Sequence, residues 1–516
     1  MPPFNRAATR LFTHTNKDTR NIIRKLDTLA TEVEEQDWSH CRPYSQIPGP
    51  KPIPILGNTW RFLPYIGDYK IQEIDQVSKR LHRQYGEIVK IEGLLGRPDM
   101  VFVYDANEIE RIFRQEEKMP FRPSMPSLNY YKHVLRKDYF RDNAGVIAVH
   151  GESWYNFRSK VQQVILQPRT ARMYVGAIEE ASLAFIERIA KIRDLKDEVP
   201  DDFLNEIHKW SLESIARVAL DVRLGCLDND SNVETQRLID AVTVFFKNVG
   251  ILELKIPFWK VFNTPTWKQY VQALDVIVST TSKYASLALS KAKETATSGK
   301  DPSLLERVLA LEGDTKVATT LALDLFLVGI DTTSNAVASV LYQLALHPEK
   351  QALAYHEISN VLPPKDMQLE GKHLDNLKYL KACVKETLRM YPVVIGNGRS
   401  MTKDTVINGY RVPKGVHVVF QHYVISNLDK YFPRSKEFLP ERWIKEGGVR
   451  HSFASLPFGY GRRMCLGRRF ADLEIIIVVS KILQRYKVEY HHEKLEYYIN
   501  PMYTPKGPLN LRFVER

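Results

Sequence analysis

One apolar run, from Thr315 to Leu346 and closed by His347-Pro348, dominates the hydrophobic pattern of the chain. Val317, Leu321, Leu325, Phe326, Leu327, Val328, Val337, Val340 and Leu341 put apolar side chains on nearly every face, which predicts a buried helix. At 1.5 Å per residue, about 32 residues span about 48 Å, enough to cross a large domain. A second apolar run, Phe470 to Leu483, predicts another helix, and a third helical segment is expected at 376–390, before Pro392. Strand signals are fewer. Ile88, Val89 and Ile91, then Val101, Phe102 and Val103, flank the turn region Gly93 to Asp99 and read as a hairpin. Asn408-Gly409 and Pro413-Lys414-Gly415 break 405–420 into short strands, and a third strand-rich stretch lies near 487–513. Strands towards both ends with helices between them predict a mainly α fold with a small β portion (α+β), one mixed domain whose sheet joins distant segments.

Polar residues set inside the apolar runs mark the chemistry. The middle of the long helix reads Gly329-Ile330-Asp331-Thr332-Thr333-Ser334-Asn335. A buried carboxylate is costly and needs partners or a task. Glycine and threonine let a helix ladder open locally, and an acid beside an alcohol reads as a proton relay. Just before the Phe470–Leu483 run stands Phe458-Gly459-Tyr460-Gly461-Arg462-Arg463-Met464-Cys465-Leu466-Gly467. Glycines permit backbone angles that other residues avoid, so such a loop can hold a thiolate with N–H groups turned towards the sulfur. The helix starting after Cys465 adds positive potential that favours the ionised form. An isolated cysteine in such a turn would be an ordinary buried thiol. Trp154 and Arg158, four apart in a helical pattern, share a face, and an indole N–H beside a guanidinium can bind carboxylates. Glu386 and Arg389 can pair on one helix face, a pair that is worth little on a surface.

Composition narrows the classes. The chain has 516 residues, 44% of them hydrophobic, ample for a large core. Length alone suggests about three domains, against the single mixed domain that the pattern predicts. Cysteines 41, 226, 383 and 465 form no C-x-x-C pair, which argues against a structural zinc site or a disulfide framework and for a reducing compartment. The net charge of +12 favours nucleic acid, acidic lipid or an acidic protein partner, and no nucleic-acid module is visible. Residues 1–30 hold six basic residues against two acidic ones, with threonines and scattered Leu, Phe and Ile, and no run long enough to span a bilayer. That composition predicts a mitochondrial transit peptide, with the mature protein starting near the acidic residues Glu32, Glu34, Glu35 and Asp37. Ile47 to Gly57, with four prolines, is expected to be extended and stiff.

The spacing Phe458-x-x-Gly461-x-Arg463-x-Cys465-x-Gly467 resembles the haem-ligand signature of the cytochrome P450 family. Three further signatures stand in that family's order. Gly329 to Thr333 resembles its A/G-G-x-D/E-T-T/S pattern, with Val328 as a departure at the first position. Glu386 and Arg389 match E-x-x-R, and Pro440-Glu441-Arg442-Trp443 matches P-E-R-F, with tryptophan in place of phenylalanine. The resemblance implies haem b with Cys465 as the thiolate ligand to iron, which pushes electron density onto the metal. It implies that Phe458 and Gly467 shape the ligand loop, and that Arg463, Trp154, Arg158 and Arg399 meet the haem propionates. It further implies that Asp331 and Thr332 form the proton relay, and that Glu386, Arg389 and Arg442 form a buried structural cluster. The implied organisation is a transit peptide at 1–30, a linker and proline-rich hinge at 31–58, and a single haem domain at 59–516. The implied reaction inserts one oxygen atom from O2 into an apolar substrate such as a steroid, ecdysteroid, lipid or xenobiotic. Two other classes remain open: an O2-independent haem-thiolate isomerase or dehydratase, and a non-catalytic haem- or lipid-binding protein.

Gly459 to Arg463 and Gly467 to Ala471 are most similar to the mitochondrial class, particularly its insect members. That likeness implies an adrenodoxin-like [2Fe-2S] ferredoxin with its NADPH reductase as electron donor, and peripheral association with the matrix side of the inner mitochondrial membrane. Lys378, Lys381 and Lys385 form one stripe of a helix, and Lys381 and Lys385 match the ferredoxin-binding lysines of that class. Arg462, Arg468 and Arg469 flank Cys465 and are expected on the same side.

Overall fold

The computed structural model describes residues 38–228, 232–295, 302–364, 367–445, 448–499 and 502–516. The transit-peptide reading of 1–30 lies outside the described residues. The helices that position the site are α1 (Gly151–Ile165), α2 (Val175–Ile192), α3 (Phe203–Leu220), α4 (Val233–Leu254), α5 (Pro265–Thr295), α6 (Thr315–Leu346), α7 (Lys378–Met390) and α8 (Arg468–Arg485). Helix α6 is the expected apolar run, and Asp314 caps it by accepting from the Lys316 N–H. It is long and apolar enough to cross a membrane by composition, yet its side chains are mostly buried by α3, α5 and α8. One hydrophobic core surrounds it, built largely from helices.

The second core belongs to the sheet. Strands β1 (Ile88–Ile91) and β2 (Met100–Val103) form the expected hairpin. Strand β3 (Asn397–Ser400) carries Arg399, and β4 (Thr405–Ile407) pairs with β5 (Tyr410–Val412) across the Asn408-Gly409 turn. Strand β6 (His417–Phe420) lies parallel to β2 and antiparallel to β3, giving the order β1-β2-β6-β3. Residues near 100 and near 417 thus share a sheet, as the pattern predicts. Near the C-terminus, β7 (Tyr486–Glu489) pairs with β10 (Arg512–Glu515), and β8 (Tyr497–Ile499) with β9 (Tyr503–Pro505). Helices occupy 56% and strands 9% of the structure, so the mainly α fold class holds.

One detail adds to the sequence reading and one differs from it. The proline-rich stretch is tied to the sheet: the Lys90 N–H donates to Pro48 O at 2.8 Å, and a Cβ at Gly49 would sit 2.0 Å from Lys90 O. Its stiffness lets it lie along β1, with Ile47 buried in the sheet core. By contrast, helix α6 runs unbroken through 329–335, and the Thr332 and Ser334 hydroxyls donate back to Val328 O and Ile330 O, both at 2.7 Å, without opening the ladder.

Candidate active site

The ligand loop closes on itself. Gly459 and Gly461 take φ of 70° and 73°, the left-handed region that a glycine enters without penalty. The turn brings the Cys465 N–H to Phe458 O at 2.9 Å. Gly461 also has no room for a side chain, since a Cβ would lie 2.7 Å from Glu116 Oε2. Cys465 then precedes the start of α8 by three residues, with Gly467 as its N-cap. Burial pushes the thiol's pKa up, while the Gly467 N–H and the charges of Arg158 and Arg122 pull it down. The cysteine is accessible, and the space it faces is an internal cavity of about 360 Å³ rather than bulk water.

The opposite wall of that cavity is α6, through Val328, Gly329, Thr332 and Thr333. Gly329 allows α6 to press on α3, where a Cβ would come within 2.8 Å of Ile215 Cδ1. Ile215, Phe246, Val393 and Met502 complete an apolar lining of the size that suits a small-molecule site. Of the expected relay pair, Thr332 lines the cavity. Asp331 is buried and turned to α3, its Oδ1 3.0 Å from His208 Nε2. His208 was not singled out by the sequence, because the two residues are far apart in the chain and no spacing rule links them.

At one edge of the cavity the structure gathers arginines. Arg463 donates through Nε to Pro120 O and through Nη1 to Val149 O, both at 3.0 Å, and stacks 3.6 Å over the Trp154 ring. Arg158 donates to Met464 O at 3.0 Å, and Arg399 pairs with Glu116 at 2.6 Å. Arg122 joins them on the cavity wall. Burial first, and for Arg463 the neighbouring arginines next, lower its pKa to about 9; burial brings Arg122 and Arg158 to about 10. His150 stands beside this group, held neutral with a pKa of about 4 by burial and then by Arg463. Arg463 Nη2 and His150 Nδ1 are buried with no hydrogen-bond partner. Four guanidinium groups gather around one paired carboxylate, Glu116, so this edge is short of anionic acceptors. A group bringing two carboxylates would correct that, and the two propionates of haem fit this edge while the thiol of Cys465 fits its iron. Arg122 and His150 escaped the sequence reading because neither stands in a spaced motif.

Away from the cavity, Glu386 is fully buried and accepts from Arg389 Nε and Nη2 at 2.9 Å, Arg442 Nε at 3.0 Å and the Leu439 N–H at 3.0 Å. Trp443 adds a bond that phenylalanine cannot make, its Nε1–H reaching Glu386 Oε2 at 2.9 Å. On the outer face beyond Cys465, Lys385, Arg468 and Arg469 are exposed and all act on Asp472, whose pKa burial raises and whose charge these cations favour. Lys381 is half-buried and donates to Asp375 O at 3.3 Å. Lys385 of α7 and the two arginines of α8 therefore share one surface.

The family model described as Cytochrome P450 matches residues 47–511. Among curated proteins, the chain is similar to "Probable cytochrome P450 301a1, mitochondrial" of Drosophila melanogaster, 50% identical over 485 residues, covering 92% of this chain and 88% of that one. It is 47% identical over 504 residues to "Probable cytochrome P450 49a1" of the same organism, covering 95% and 86%. To "Probable cytochrome P450 12a5, mitochondrial" it is 35% identical over 501 residues, covering 93% and 92%.

Proposed function

The chain belongs to the cytochrome P450 family, a haem-thiolate monooxygenase with haem b as cofactor, and from that premise we propose which residues do its work and where. Cys465 is the thiolate ligand. The observation that carries this assignment is the cavity itself, where the Cys465 thiol meets a buried arginine edge short of anions. When bound, haem supplies the O2 activation that side chains cannot provide.

The chain's own residues do the rest. Arg463, Arg158, Trp154 and Arg399, with Arg122 and His150, hold the propionates, and Phe458 and Gly467 fix the cysteine loop. Thr332 holds a proton at its Oγ1 on the cavity wall, and Asp331 resupplies it from the side facing His208. The apolar walls orient the substrate and exclude bulk water. The substrate is a steroid, ecdysteroid, other lipid or hydrophobic xenobiotic, which matches the lining.

Lys381, Lys385, Arg468 and Arg469 form the docking face for a mitochondrial [2Fe-2S] ferredoxin served by an NADPH reductase. The shared basic surface beside Cys465 supports this, as does the similarity to two relatives named as mitochondrial. Residues 1–30 direct import and are removed, the haem domain follows the proline-rich segment, and the enzyme rests on the matrix side of the inner membrane. Exposed Ile55, Tyr65 and Ile66, and Phe258, Val261 and Phe262, supply an apolar contact for that surface. The turn after β1 links these two patches: the Leu95 N–H donates to Thr59 Oγ1 and Arg97 Nη2 to Lys255 O. Reconstitution with purified ferredoxin, its reductase and NADPH tests the reading. Oxygenated product that depends on ferredoxin is expected, and turnover that needs neither O2 nor ferredoxin would reject it.

A further inference from the structure

Glu474 is a buried acid that the mechanism leaves unused. It is the seventh residue of α8, 3% exposed, and it lines the same cavity as Cys465 and Thr332. The Ser214 hydroxyl of α3 donates to its Oε1 at 2.7 Å, and among the described residues this is the hydrogen bond that its carboxyl has. Arg469 of α8 and Lys385 of α7 are exposed, and the paired charged groups of the packed elements meet partners other than Glu474. On α8 itself Lys481 pairs with Glu179 of α2, and Arg468 with Asp472. On α3, Arg217 pairs with Glu180 and Asp221, Glu213 accepts from the Leu224 and Cys226 N–H groups, and His208 meets Asp331 of α6. On α7, Glu386 meets Arg389. No cation is ion-paired or hydrogen-bonded to the Glu474 carboxyl among the described residues.

We propose that Glu474 is a proton-binding site linked to the charge on the cofactor, binding its proton more tightly when the centre gains one electron and releasing it more readily on reoxidation. The electron comes from a one-electron donor of the iron–sulfur class and the proton from solvent, so proton uptake offsets part of the charge added to the cavity. The physical reason is electrostatic. A carboxylate and an added electron are like charges in one poorly solvated space, and protonation removes the repulsion. By helix rise, Glu474 lies roughly 10 Å from the start of α8. At an effective dielectric constant of about 20, one unit charge at that range changes proton affinity on the order of tenfold. The geometry also poises the group to titrate where it matters. Burial pushes its pKa up to about 7, with the Ser214 hydrogen bond opposing.

The sign follows from linkage. Well below the window the carboxyl is protonated in both redox states, and above it the carboxylate opposes reduction, so the midpoint potential falls as pH rises. The test is a spectroelectrochemical titration of the holoenzyme from about pH 5.5 to about pH 8.5. The wild type should lose about 59 mV, the equivalent of a tenfold change in proton affinity for a one-electron couple. Glu474→Gln, which keeps the shape and the Ser214 contact, should remove that fall. Ser214→Ala should move the window to higher pH, because the hydroxyl favours the ionised form. A wild-type potential independent of pH would overturn the proposal, as would a Gln variant that keeps the wild-type fall. If the Gln variant fails to retain haem, the Ser214→Ala window decides: an unmoved window means that Glu474 only ties α8 to α3.

Discussion

Replacing Glu386 by glutamine measures what the buried cluster contributes. The carboxylate accepts from two arginines, one indole and one backbone N–H, and both it and Arg389 are fully buried. Glutamine keeps one acceptor oxygen, turns an N–H2 towards the donors and leaves two guanidinium charges without an anion. Removing one partner of a buried ion pair costs about 3–5 kcal/mol. The entropy of unfolding, about 2.1 cal/mol/K per residue over roughly 470 folded residues, is about 1 kcal/mol/K, so the midpoint should fall by about 3–5 °C. Trp443→Phe loses a single hydrogen bond to a charged group at a half-buried indole, about 1.5 kcal/mol, and should cost about 1–2 °C. Scanning calorimetry of the purified holoenzymes reads both. A Glu386→Gln midpoint within 1 °C of wild type would refute the reasoning, because it would mean that the cluster is no more stabilising than a surface pair.

The other expectations concern proton supply, import and docking. Asp331→Asn should lower product formation by roughly 100-fold, the scale of a lost acid–base group, while NADPH use continues and reduced oxygen species are released; an unchanged product yield would reject the relay. A fluorescent protein fused behind residues 1–30 should enter mitochondria, and a cytosolic or endoplasmic-reticulum signal would contradict the targeting. Lys381→Gln with Lys385→Gln should slow reduction by ferredoxin roughly tenfold at low salt without altering the haem spectrum, and wild-type reduction should slow as salt rises. Equal rates in the double variant would place the docking face elsewhere.

What could be read from the sequence is what local pattern encodes. Helix α6 and the 88–103 hairpin follow from periodicity and turn residues, and the ligand loop from the spacing of its glycines, Arg463 and Cys465. The four-residue step from Trp154 to Arg158 likewise put them on one helix face, and both line the cavity. The partnerships that complete the site are made through space. His208 meets Asp331 because α3 packs on α6, and Arg122 reaches the cavity edge from an extended segment without periodicity. Trp443 differs from the expected phenylalanine by one N–H, and only the folded chain shows Glu386 within its reach. Glu474 is similar: in the sequence it is one acid in a helix, and its burial makes it a titrating group.

The central claim is that Cys465 holds the iron. The most direct measurement is the absorption spectrum of the ferrous carbon monoxide complex in wild type and in Cys465→Ser. The account predicts the red-shifted Soret band of thiolate ligation in the wild type and its loss in the serine variant. A Cys465→Ser protein that binds haem and keeps that band would contradict it, since another residue would then be the ligand.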